Sequence, residues 1–228
     1  MKLLRAAFLG LLVTGLAPAA VLGAEDFSPA ERALFMTNQL APLKPPLTLN
    51  YAYTKSGSLE EGFTDKVAIH LRARDGGKCC TANADFLGGA RRLSLPEVEA
   101  ADGNPVILYF LERDIREMSR LTKGQSNYFR KRIRMAVYQG AQINEVSLPY
   151  RGKTIAARQI SIEPYLDDPL RARFEKLANK RYVFTLSDSV PGGVVSIRTV
   201  VSAQAAAAIP LLDEEMLLDG ASPAPRNP

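Results

Sequence analysis

Residues 104–140, NPVILYFLERDIREMSRLTKGQSNYFRKRIRMAVYQG, decide how this chain folds: helical periodicity appears there inside a sequence otherwise patterned as strands. Asn104 is a natural N-cap, and Pro105 suits a first helical turn. Leu108, Leu111, Ile115 and Met118 follow at helical spacing until Gly124 interrupts them. Ser126 can cap a second helix with Phe129, Ile133, Ala136 and Val137 on one stripe, stopped at Gly140. The block carries eight Lys/Arg against three acids, a net +5 equal to that of the whole chain.

Toward the N-terminus, Ser28-Pro29-Ala30-Glu31 has the form of a capping box and predicts a short helix over 29–40, ended by Pro42, Pro45 and Pro46. From Leu47 the period becomes two. Leu49, Tyr51 and Tyr53 alternate with polar residues, as do Phe63, Val67, Ile69 and Leu71. Asp75-Gly76-Gly77-Lys78 signals a hairpin turn returning through Cys80, Ala82, Ala84 and Phe86, and residues 91–95 read as a further short strand. Beyond the helical block, Val146, Leu148 and Tyr150 turn at Arg151-Gly152 into a strand over 154–163. Asp168-Pro169 opens a small helix. Residues 182–187 and 194–201 then flank a Pro191-Gly192-Gly193 turn.

Short turns between strands require antiparallel neighbours. The expected fold is therefore α+β: a curved, half-barrel-like antiparallel sheet of about eight strands, with the mid-chain helical pair across it and a short N-terminal helix. Residues 25–201 form a single domain in this reading. The alanine- and proline-rich tail, 202–228, is expected to be loose, its LLDEEMLL segment reading as a short amphipathic patch.

Residues 1–24 have the three parts of a secretory signal: Lys2 and Arg5, an apolar core, and small residues Gly23 and Ala24 at a cleavage point. This predicts export to a periplasm with cleavage near Ala24. The mature chain then carries 27 Lys/Arg and 24 Asp/Glu, so the +5 helical block sits on a remainder of −2. Charge this modest, on an exported chain, points away from nucleic acid.

Few residues assemble a catalytic set. His70 is the only histidine and reads as a solvent-facing strand residue; there is no Gly-x-Ser-x-Gly elbow and no phosphate or calcium loop. No metal or cofactor is expected, and the protein reads as non-catalytic. Cys79 and Cys80 are the redox candidates. In the register set by a Gly76-Gly77 turn, Cys80 joins the apolar face while Cys79 lies outside beside Arg74, where cations favour a thiolate. A core thiol plus a surface thiol is the favoured reading. A bridge between the two neighbours and an intermolecular bridge through Cys79 are the alternatives.

The helical pair is the candidate site. Val106 to Leu111 are uninterruptedly apolar or aromatic, wider than one stripe needs, and Arg130, Lys131, Arg132 and Arg134 crowd the second helix. Ile107, Leu108, Phe110, Leu111, Ile115 and Met118 with those four cations suit a ligand with an apolar body and an anionic head, or contact with a membrane surface.

The order of elements resembles that of the Lol-type periplasmic lipoprotein carriers, through the helix at 29–40, the strands from Leu47, and GNPVILYFL opening the mid-chain helices. The resemblance implies a curved sheet whose helices cover an apolar cavity; no motif matches residue by residue. The expected function is an exported carrier sheltering an amphipathic or lipid-like ligand between sheet and helical pair. The alternatives are an envelope adaptor using the basic helix 127–139 and a thiol-dependent enzyme using Cys79.

Overall fold

The computed structural model describes residues 27–74, 79–98, 103–203 and 209–223; the expected signal segment and the 75–78 turn lie outside them. Eight strands form one open, curved antiparallel sheet: β1 (Leu47–Ser56), β2 (Phe63–Ala73), β3 (Cys79–Phe86), β4 (Gln142–Tyr150), β5 (Lys153–Ile162), β6 (Lys180–Leu186), β7 (Val194–Val201) and β8 (Leu212–Leu218). Their order is β3-β2-β1-β8-β7-β6-β5-β4. The first and last strands are thus neighbours in mid-sheet. The edge strands β3 and β4 are joined by α2 (Pro105–Thr122) and α3 (Ser126–Gln139), which carry the chain from one edge of the sheet to the other. The α+β architecture expected from periodicity is the one found.

Local chemistry sets the helix ends. Ser28 and Glu31 complete both arms of the capping box that starts α1 (Pro29–Glu31), which continues as a π-helical turn at Arg32–Met36. Asn104 accepts a hydrogen bond from the Val106 amide at 3.0 Å and donates one to the Gly192 carbonyl at 2.7 Å. One side chain thereby starts α2 and ties it to the β6–β7 turn. Gly192 has a φ of +76°, and a Cβ there would stand 2.5 Å from a Leu49 methyl, so only glycine fits.

The tail expectation is corrected at 212–218. This segment is β8, paired with β1 on one side and β7 on the other. Its inward set is Leu212, Glu214, Met216 and Leu218, all buried. An acid at the second inward position breaks the apolar alternation, which is why the segment read as an amphipathic patch. The strand expected at 91–95 is absent; Leu93 makes only a single bridge to Phe86, next to a 3-10 turn at Gly89–Arg91. In place of the small helix after Asp168 stand two 3-10 turns, Arg171–Arg173 and Glu175–Asn179.

The cysteine reading is also corrected. Cys79 and Cys80 are joined by a disulfide, and the peptide bond between them is cis. The expected register holds through His70↔Asn83 and Arg72↔Thr81, but Ala73 then pairs with Cys79. Cys80 is the extra residue of this irregularity, so the strict alternation that separated the thiols fails there.

Candidate functional site

The two faces of α2 have different chemistry. Ile107, Phe110 and Met118 are wholly buried against the sheet and belong to the core. Between them and β8 lies a group of buried charges. Arg113 pairs with Glu214 at 2.8 Å, and Lys180 pairs with Asp114, which also accepts a 2.6 Å hydrogen bond from the Tyr182 hydroxyl. Lys55, the cross-strand partner of Glu214, lies 3.6 Å from it and 3.1 Å from Glu117. Thr199 on β7 donates to Glu214 at 3.3 Å. Arg120 extends the group outward to Glu117 at 2.8 Å and Glu60 at 2.5 Å.

Burial alone raises a carboxyl pKa, but Arg113, Lys180 and Lys55 surround Glu214 and bring it down to about 2. Glu117 is likewise held at about 2: burial opposes ionisation, while Arg120, Arg113 and Lys55 outweigh it. The Tyr53 phenol is pushed well up, first by burial and then by the Glu214 charge. An acyl chain placed against this floor would strip these charges of partners at a cost of several kcal/mol. The space beneath α2, where the sequence placed a ligand, is packed with apolar side chains toward its N-terminus and with ion pairs toward its C-terminus.

The outward face offers room. Leu108, Leu111 and Ile115 of α2, Ile133 of α3, and Phe27, Phe35 and Met36 of the N-terminal segment line a groove of about 300 Å³. Its charged residues are Glu31, Glu112, Arg130 and Arg134. Phe27, Met36 and Leu108 remain 39%, 51% and 38% exposed, an unusual concentration of open apolar side chains about one depression. Arg130 is held by Glu112 and Asn127, at 2.8 and 2.7 Å. Arg134 is exposed and has no ion pair among the described residues.

The ten residues expected to form one site are therefore divided. Leu108, Leu111, Ile115, Arg130 and Arg134 meet at the groove. Ile107, Phe110 and Met118 point the other way. Arg132 turns from both, donating to the Pro164 carbonyl at 3.0 Å and pairing with Asp168 at 2.8 Å; Lys131 is exposed. Of the block's eight cations, Arg113, Arg116, Arg120, Arg130 and Arg132 are paired with carboxylates. Three cations of the block, Lys123, Lys131 and Arg134, are thus left without an ion pair among the described residues. Lys55, Lys180 and Glu214 escaped sequence reading because a charge at an alternating strand position is taken as outward, and Asp114 because a charge on an amphipathic helix is assigned to the solvent face; only the Leu-x-x-x-Met-x-Leu spacing around Glu214 hinted otherwise.

The single histidine lies on the outward face of the sheet. His70 contacts Thr48 Oγ1 at 3.1 Å and Asp85 at 3.0 Å, and Arg92 also reaches Asp85, at 2.7 Å. Among the described residues no group of His, Cys, Asp and Glu could hold a metal ion, and no helix is long and apolar enough to cross a membrane. No protein-family model matches the chain, and no curated protein is similar to it.

Proposed function

We propose that this chain is an exported, periplasmic binding or carrier protein for an amphipathic, lipid-like ligand, and that the groove between the N-terminal segment and the outer face of α2 and α3 is its site. The apolar body lies along Leu108, Leu111, Ile115 and Ile133, and the anionic head meets Arg134, with Arg130 beside it. The observation that carries this reading is Arg134, exposed and without an ion pair among the described residues, at the rim of an apolar groove where Phe27, Met36 and Leu108 stay open to solvent. Its volume suits a single acyl chain of medium length, at the small end of ligand sites. The signal-like residues 1–24 and an order of elements that resembles that of Lol-type carriers support export and carriage; the ligand here sits outside the helical pair instead of beneath it. Binding alone suffices for this role, with no cofactor and no reaction.

Solvent extraction of protein purified from its native envelope, followed by mass spectrometry, tests the proposal. An acyl lipid in near-stoichiometric amount is expected, and its loss in Arg134→Glu. Protein that carries no lipid and takes up no acyl probe contradicts it.

A second reading has its own observation. Tyr138 is 53% exposed on α3, where Lys131 and Arg134 are exposed too. Aromatic and arginine side chains together suit an acidic protein partner in the envelope. Charge reversal at Lys131 and Arg134 then abolishes co-purification of that partner, and unchanged pull-downs reject this reading.

A further inference from the structure

A second cavity, about 480 Å³, lies where α3 ends against β5, β6 and the 163–167 segment. Its charged lining is Arg132, Glu163, Asp167 and Arg181, with Gln139, Gln142 and Ser161 as the polar side chains among them. Arg132 is already satisfied by Asp168 and the Pro164 carbonyl. The other three charges are not. Arg181 reaches only the Ser161 hydroxyl, at 3.5 Å, and neither it nor Glu163 nor Asp167 has an ion pair among the described residues.

The separation of these charges is unexpected from the sheet. Ile162 and Tyr182 are the last partners of the β5–β6 ladder, and continuing that register one step would set Glu163 opposite Arg181. Opposite charges directly across a strand pair ordinarily attract and close. Here a cavity stands in the same place, positive on the β6 side and negative on the β5 side. The C-terminal turn of α3, at Gln139 and Gly140, adds the partial negative charge of its end carbonyls.

We infer that this cavity is a binding site for a small zwitterion, an α-amino acid or short peptide, separate from the apolar groove. Its carboxylate pairs with Arg181 beside the Ser161 hydroxyl. Its ammonium group lies among Glu163, Asp167 and the end of α3. The volume falls within the range of small-molecule sites and accommodates a peptide of a few small residues. A bipolar ligand completes the ion pair that the two strands leave open, whereas a simple anion meets repulsion from Glu163 and Asp167.

Isothermal titration of the full chain with trialanine, N-acetyl-trialanine and trialanine amide tests the site. Trialanine is expected to bind one to one, and each blocked peptide about tenfold or more weakly, the loss typical of a removed charge-assisted contact. Arg181→Met is expected to weaken trialanine by a similar factor while leaving the amide unchanged, and Glu163→Gln to do the same with respect to the acetylated peptide. Both side chains reach solvent, and circular dichroism verifies that the variants fold. No saturable binding of trialanine overturns the inference, as does equal binding of all three peptides.

Discussion

Arg113 of α2 and Glu214 of β8 meet at 2.8 Å with both side chains withdrawn from water, so charge as well as apolar packing fastens the helical pair to the sheet. Removing one partner leaves the other buried and uncompensated. Glu214→Ala is expected to destabilise the protein by about 3–5 kcal/mol, read as a fall in the urea midpoint at constant slope. Because the two groups are coupled, Arg113→Met combined with Glu214→Leu loses less than the sum of the single changes.

The same carboxylate gives stability a definite acid dependence. Its folded pKa, about 2, lies below its ordinary 4.5, so its contribution is complete above about pH 4.5 and is lost as pH falls toward 2. The depression corresponds to roughly 3 kcal/mol, with a smaller addition from Glu117, which lies nearer solvent. Unfolding free energies measured from pH 6 to 2 should decline through this window. In Glu214→Gln the decline should be markedly shallower.

Asn104 joins a helix cap to a hairpin turn. Asn104→Ala removes the bond to Val106 and leaves the Gly192 carbonyl without its side-chain donor, for a loss of about 1–2 kcal/mol. Asn104→Asp keeps the cap acceptor but cannot donate, so thermal denaturation should place it between the alanine variant and the wild type.

The Cys79–Cys80 bridge links adjacent residues and closes almost no loop. Alkylation without reductant is expected to label neither cysteine, and after reduction to label both. Because loop closure is the main source of disulfide stabilisation in the chain-entropy description, reduction should shift the melting temperature far less than loss of a long-range bridge.

What the sequence disclosed and what it hid follow one physical line. Helices α2 and α3 and the hairpins announced themselves because their periodicity is local: Pro105, Gly124 and Gly140 mark boundaries that no tertiary contact has to supply. The β2–β3 register counted from the expected turn is right from Arg72↔Thr81 outward to Val67↔Phe86, and fails only beside the turn, where the irregularity at Cys79-Cys80 intervenes. β8 was missed because Glu214 is made tolerable inside by Arg113, Lys55 and Thr199, which come from three other elements. The candidate groove was half visible for a related reason. The width of the apolar run at 106–111 was legible, but its division into a core side at Ile107 and Phe110 and a groove side at Leu108 and Leu111 depends on where the N-terminal segment docks.

Whether an amphipathic chain lies in the proposed groove outside α2 and α3 is decided by methyl-resolved NMR of the protein titrated with lauric acid. Saturable shifts are expected at Leu108, Leu111, Ile115 and Ile133, with the sheet methyls of Val67 and Ile69 unmoved, and loss of saturation in Arg134→Glu. Shifts centred on Val67 and Ile69, or no saturable shift at the groove methyls, contradict that placement.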